Sequence, residues 1–115
     1  MDEQELAKIF RDTDLVPAPG ESVLHKGVAN LWAGPEAVGG RLWLTSRVLV
    51  FRSHAVNVQT GVWAWPLEEI VSTAPVNTLG IVPNGLEVVL RNGERVRFVV
   101  RKRRAWMQAI QHANG

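Results

Sequence analysis

The sequence predicts a mainly β domain of about seven antiparallel strands, preceded by a short helix and closed by a longer one. Three observations carry that expectation. Across residues 22–101, apolar and polar positions alternate in short runs separated by Gly, Pro and Asn turn signals, as strands with one buried face require. Residues 41–52 read as two such runs around a two-residue turn at Ser46 and Arg47. The period then changes: Trp106 and Ile110 are spaced i, i+4, and Ala109 and Ala113 extend the same stripe of a helix over 102–113.

The chain opens with an amphipathic segment at 2–15 that carries Leu6, Ile9 and Phe10 on one side, with Leu15 near its end. Val16-Pro17-Ala18-Pro19-Gly20 breaks it, so residues 1–19 form a helix and linker and 20–115 the domain proper. The first strand covers about 22–32, with Gly27 as a candidate bulge, and residues 34–40 form a loop. In the hairpin that follows, Leu44 should face Leu49 and Leu42 should face Phe51, with Trp43 and Val50 on the opposite side. A polar loop at 54–61 leads to a strand at 62–65, and a further strand is expected at 69–75. Pro83-Asn84-Gly85 should turn the chain into a strand at 86–90, and Asn92-Gly93 into one at 95–101. A plain two-residue turn at Asn92-Gly93 would oppose inward Leu90 to outward Arg95. Pairing Leu90 with Val96 restores parity through a three-residue connection or a bulge.

At 115 residues the chain suits one domain with a core that needs no staples. It has no cysteine, which removes disulfides, thiolate metal sites and thiol nucleophiles. No apolar run approaches the ~18 residues of a membrane-spanning helix. The acidic start Met1-Asp2-Glu3-Gln4-Glu5 is no secretory signal, so a cytoplasmic location is expected, with peripheral membrane association open. Charge is segregated beneath a net +2: residues 1–21 hold six acids against two bases, whereas 91–104 hold seven bases against Glu94.

Gly40-Arg41-Leu42-Trp43-Leu44-Thr45-Ser46-Arg47-Val48-Leu49-Val50-Phe51 resembles the signature hairpin of GRAM domains, a branch of the pleckstrin-homology-like fold. The resemblance extends over about 20–112. It includes Gly20-Glu21 before the first strand, Pro66-Leu67-Glu68-Glu69-Ile70, Asn92-Gly93 leading to Val96-Arg97-Phe98-Val99, and Trp106 three residues before Ala109-Ile110. It implies a split barrel of orthogonal sheets plugged by the C-terminal helix, and a non-catalytic binding module. The phosphoinositide site of pleckstrin-homology domains would need bases around the first loop. Here that loop has none and contains Glu36, so only Lys26 and Arg41 remain as a secondary ligand-binding pair.

Nothing in the sequence supports catalysis, a metal site or a cofactor. His25, His54 and His112 lack metal-ligand spacing, and the adjacent Glu68 and Glu69 diverge on an extended chain. The sharpest chemical feature is the run of bases. With Leu86, Val88, Leu90, Val96, Phe98 and Val100 inward, Arg91, Arg95 and Arg97 share an outer face with Glu87, continued by Arg101, Lys102, Arg103 and Arg104. Guanidinium forks suit phosphate and carboxylate, which makes these seven the primary candidates for an anionic partner, an acidic phospholipid surface or an acidic protein segment. Three bases in the first turn of a helix oppose its dipole, which favours a functional reason for them.

The competing reading is a protein–protein or self-association module, with a homo-oligomer open. Trp63 and Trp65 share parity, so they either fill the core or form an exposed aromatic interface. Nucleic acid is disfavoured, because no aromatic platform interleaves with the arginines. The acidic N-terminal helix is either a competitor for the basic patch or a helix packed on another face, or on a second subunit, with no regulatory role.

Overall fold

The computed structural model describes residues 2–54 and 61–115. Helix α1 (Asp2–Ile9) precedes seven strands: β1 (Val23–Ala33), β2 (Glu36–Thr45), β3 (Val48–Ser53), β4 (Val62–Pro66), β5 (Ile70–Thr78), β6 (Val82–Leu90) and β7 (Arg95–Val100). A 3-10 turn (Leu67–Glu69) joins β4 to β5, and α2 (Arg103–Asn114) ends the chain. The strands form one antiparallel sheet in the order β4-β3-β2-β1-β7-β6-β5, curled into a half-barrel. The part of the expected polar loop at 55–60 lies outside the described residues.

Alternation along each strand divides the side chains between two cores. The concave face carries Leu31, Leu42, Leu44, Leu49, Phe51, Leu86, Val88 and Phe98, and α2 closes it with Trp106 and Ile110. The convex face of β2 and β3 carries Trp43, Val48 and Val50, which Leu6 and Ile9 of α1 cover together with Phe10 just beyond it. A helix this short is marginal alone in water, so its fixed position comes from that apolar stripe. The β2–β3 register is as expected, with Leu42 opposite Phe51, Trp43 opposite Val50 and Leu44 opposite Leu49. Its turn is pinned by Thr45, whose Oγ1 accepts from the amides of Arg47 and Val48 and donates to buried Glu21 at 2.6 Å.

Several sequence expectations need correction. α1 stops at Ile9 rather than continuing to 15, because the Arg52 guanidinium donates to the Ile9 and Arg11 carbonyls at 3.0 and 2.7 Å and caps the end. The irregularity in β1 falls between Val23 and His25, whereas Gly27 pairs regularly with Leu42. The first loop contracts to Gly34-Pro35: Gly34 takes φ +63°, and residues 36–40 continue the ladder with Val38 buried opposite Leu31. The hairpin after β5 turns at Leu79-Gly80, both at positive φ, and Pro83-Asn84-Gly85 belongs to β6. Four residues, Arg91 to Glu94, join β6 to β7, with Gly93 at φ +91°. Leu90 lies opposite Glu94 there, its amide donating to the Glu94 carbonyl at 2.8 Å, rather than opposite Val96.

Candidate anion-binding groove

β7 pairs with β1 only across Ala29, Asn30 and Leu31. Towards its start, β1 continues along β2 with no strand of the described residues on its other edge, because the chain leaves β7 at Arg101 and turns into α2. Lys102 makes that corner in the left-handed region, φ 54° and ψ 56°, a conformation that costs a non-glycine residue about 1 kcal/mol. The divergence opens a groove of about 1400 Å³ between β1, the start of β6 and the β7–α2 corner. Val28, Asn30 and Val99 contribute to its wall, together with Lys26, Arg101, Lys102, Arg103 and Arg104, and among the described residues no carboxylate lines it.

The bases in this groove are not equivalent. Arg103 is structural: its Nη1 donates to the Val76 carbonyl at 2.8 Å and also reaches Asn77 Oδ1 and the Gly85 carbonyl, tying α2 to the β5–β6 hairpin. Lys26 is taken from outside by Glu5 of α1 at 2.7 Å. The hydrogen bond from Lys26 leads the influences that hold the Glu5 carboxyl below its usual value, and a bond from Trp43 Nε1 adds to it. Among the described residues, no acceptor meets the side chains of Arg101, Lys102 or Arg104. Among the described residues no side chain caps the start of α2, and its first turn contains no acid. Three unpaired cations therefore sit beside the positive end of a helix dipole, a local field that an anion would relieve.

The remaining predicted bases lie elsewhere and have other work. Arg95 and Arg97 do point to the outer face, but both hold Glu87, at 2.8 and 3.0 Å. Glu87 is only 3% exposed. Burial pulls its carboxyl upward, the hydrogen bonds from Arg97 and Arg95 outweigh that pull, and the group ends below its usual value. Arg91 splints the end of β6 to the 3-10 turn, donating twice to the Glu68 carbonyl, at 3.2 and 2.9 Å. The seven primary candidates thus separate into three places, and only residues 101–104 share the groove.

Of the secondary pair, Lys26 lines the groove. Arg41 lies over the Trp43 ring at 6.0 Å and borders a different hollow with Arg11, Arg52 and His54. Trp63 and Trp65 are half-buried against the concave core, with ring centroids 5.8 Å from Phe51 and 5.6 Å from Phe98. Of the two expected placements, the aromatic pair takes the one against the core, with part of each ring still exposed. His25 also borders the groove: its ring meets Trp106 edge-on at 4.4 Å, and burial lowers its pKa. Sequence reasoning passed over His25, Pro83 and Asn84 as site residues. The available signal was the short reach of β7, which leaves half of β1 without a partner on one edge.

The comparisons agree with this architecture. No curated protein matches the chain. Among solved structures, the C-terminal domain of an unknown protein from Leishmania infantum is similar at a TM-score of 0.71 and 18% identity, covering 97% of this chain and 95% of that one. The Vps36 N-terminal PH domain is similar at 0.63 and 17%, covering 84% of each chain. The N-terminal PH domain of human ARAP2 is similar at 0.60 and 13%, covering 88% of this chain and 84% of that one. At these identities the structures establish the fold. The family pattern of the GRAM domain matches residues 6–111, reaching into α1 and taking in both walls of the groove, so the chain belongs to the GRAM domain family.

Proposed function

We propose that this protein is a non-catalytic binding module that takes an anionic partner in the groove between β1 and the β7–α2 corner. GRAM and PH-like domains are binding modules for lipids or proteins, which supplies the class. The observation that carries the reading is the composition of the groove: five bases and, among the described residues, no carboxylate in its lining, with three of the bases lacking any acceptor within the described chain. Arg101, Lys102 and Arg104 supply the free charge, Lys26 adds to it when Glu5 releases it, and Arg103 holds the corner in shape. Arginine forks and ammonium groups at this density suit phosphate or clustered carboxylate.

The test is the double reversal Arg101→Glu with Arg104→Glu, assayed by flotation with phosphatidylserine-containing vesicles and by titration with a polyglutamate peptide. Each base near an anionic surface contributes on the order of 1 kcal/mol, so affinity should fall about tenfold or more with the thermal melt unchanged. Added salt should weaken the parent steeply and the variant little. Unchanged affinity in a folded variant would place the function elsewhere, with a salt-insensitive protein interface as the competing reading.

A further inference from the structure

The β5–β6 hairpin ends in an apolar tip that no part of the described chain covers: Leu79 is 86% and Ile81 80% exposed. Leu79 also adopts the left-handed conformation, φ 55°, which a leucine enters only at a cost. Single exposed aliphatics are ordinary on protein surfaces, but this pair lies on a stiff stem. The Gly80 and Ile81 amides donate to the Asn77 and Thr78 carbonyls at 3.1 Å, Thr78 Oγ1 donates to Asn84 Oδ1, and Arg103 clamps Val76, Asn77 and Gly85 from α2. The whole stretch 70–86 contains no charged residue. Two residues beyond Ile81, Pro83 and Asn84 line the basic groove, so the strand that carries the tip also forms part of the groove wall.

We propose that the Leu79–Gly80–Ile81 tip enters the interfacial layer of an anionic lipid bilayer while the bases of the groove engage the headgroups around it. This rests on the anionic reading of the groove and commits that reading to a membrane. Size decides between occupants. A protein partner needs about 800 Å² of complementary surface on each side, and two side chains on a turn cannot supply it. A bilayer needs only a small uncharged protrusion of the right depth, beside positive charge that opposes the anionic surface. An uncharged stem also avoids the penalty of carrying ions towards hydrocarbon.

The absence of cysteine permits a clean test. Leu79→Cys and, as a control at the first turn, Glu36→Cys are each labelled with an environment-sensitive fluorophore and mixed with vesicles of phosphatidylcholine alone or with phosphatidylserine. The label at 79 should brighten and shift to the blue only with phosphatidylserine, and the label at 36 should not respond. Unlabelled Leu79→Ser with Ile81→Ser should bind those vesicles roughly tenfold more weakly per side chain removed, yet bind soluble dihexanoyl phosphatidylserine as the parent does. A silent label at 79 on vesicle-bound protein, or tip-variant binding equal to the parent, overturns the proposal. So does a partner that proves to be an acidic peptide with no vesicle binding, or a dimer that the tip variant dissolves. If the groove reversal leaves vesicle affinity intact, the groove reading itself fails; if the reversal abolishes binding and the label stays silent, the tip alone fails.

Discussion

Glu87 illustrates how parity can locate a residue correctly and still miss its role. Alternation along β6 places its side chain on the outer face with Arg95 and Arg97, and the structure agrees. What alternation does not reveal is that the stems of two flanking arginines cover the carboxylate and leave it 3% exposed. Arg95→Glu with Arg97→Glu should therefore destabilise the fold, by about 2 kcal/mol in urea denaturation. That is less than for a fully buried pair, because both arginine side chains are more than half exposed. Gly40 is a second point of sensitivity: a Cβ there would overlap the Arg52 carbonyl and the Phe51 ring. Gly40→Ala should cost about 1–3 kcal/mol in the same assay. Acid should act in two stages. Burial lowers the His25 pKa from 6.5, so below 6.5 the unfolded chain takes a proton that the folded chain refuses, and stability falls as pH falls towards the folded value. Glu87 works in the other range: its stabilising effect is complete above 4.5 and is lost as pH drops through its lower folded value. Calorimetric melts across that range should show both declines in the parent and only the second in His25→Gln.

Elements were legible where pattern and packing agree. The β2–β3 register followed from alternation because a shift by one residue would exchange the α1-covered face for the concave core. α2 followed from the Trp106–Ile110 stripe, and Trp106 is 2% exposed in the position expected of an anchor. Trp106→Ala should cost about 3–5 kcal/mol, measured by thermal or urea unfolding. Elements were misread where a side chain from a distant strand decided the outcome. Arg52 ends α1, and nothing within residues 2–15 announces that. The familiar turn residues Pro83-Asn84-Gly85 point to a turn there, whereas the chain reverses at Leu79-Gly80 and places Leu79 at φ 55°. The charge segregation between chain ends leaves two roles open for α1, a competitor for the arginines or a helix that only packs. The structure assigns α1 a narrower contact: Glu5 meets Lys26 at the rim of the groove, and Leu6, Ile9 and Phe10 anchor the helix independently. Glu5→Gln should therefore leave the melt close to the parent's and raise affinity for anionic vesicles by a few-fold at low salt, since an exposed pair is worth ~0.2–1 kcal/mol.

At the scale of the whole molecule, the run of bases from Arg91 to Arg104 in sequence does not form one surface. The curl of the sheet sends Arg91 to the 3-10 turn, binds Arg95 and Arg97 to Glu87, and leaves residues 101–104 at the opposite end of β7, where β1 has lost its neighbour. Fold class, strand number and the capping helix were readable from periodicity, because each is a local pattern repeated along the chain. The groove was not, because it is made where pairing stops, and its walls come from β1, β6 and α2 at once. Among the described residues no helix is long and apolar enough to cross a membrane. The central claim is that anions bind at this corner. It is tested most directly by amide chemical shifts of ¹⁵N-labelled protein titrated with dihexanoyl phosphatidylserine as a soluble monomer. The account predicts that the shifts concentrate at residues 25–30, at Asn84 and at residues 101–106, including the Trp106 indole. Shifts concentrated instead at the first turn with Glu36 and Arg41, or along Arg95 and Arg97, would contradict it.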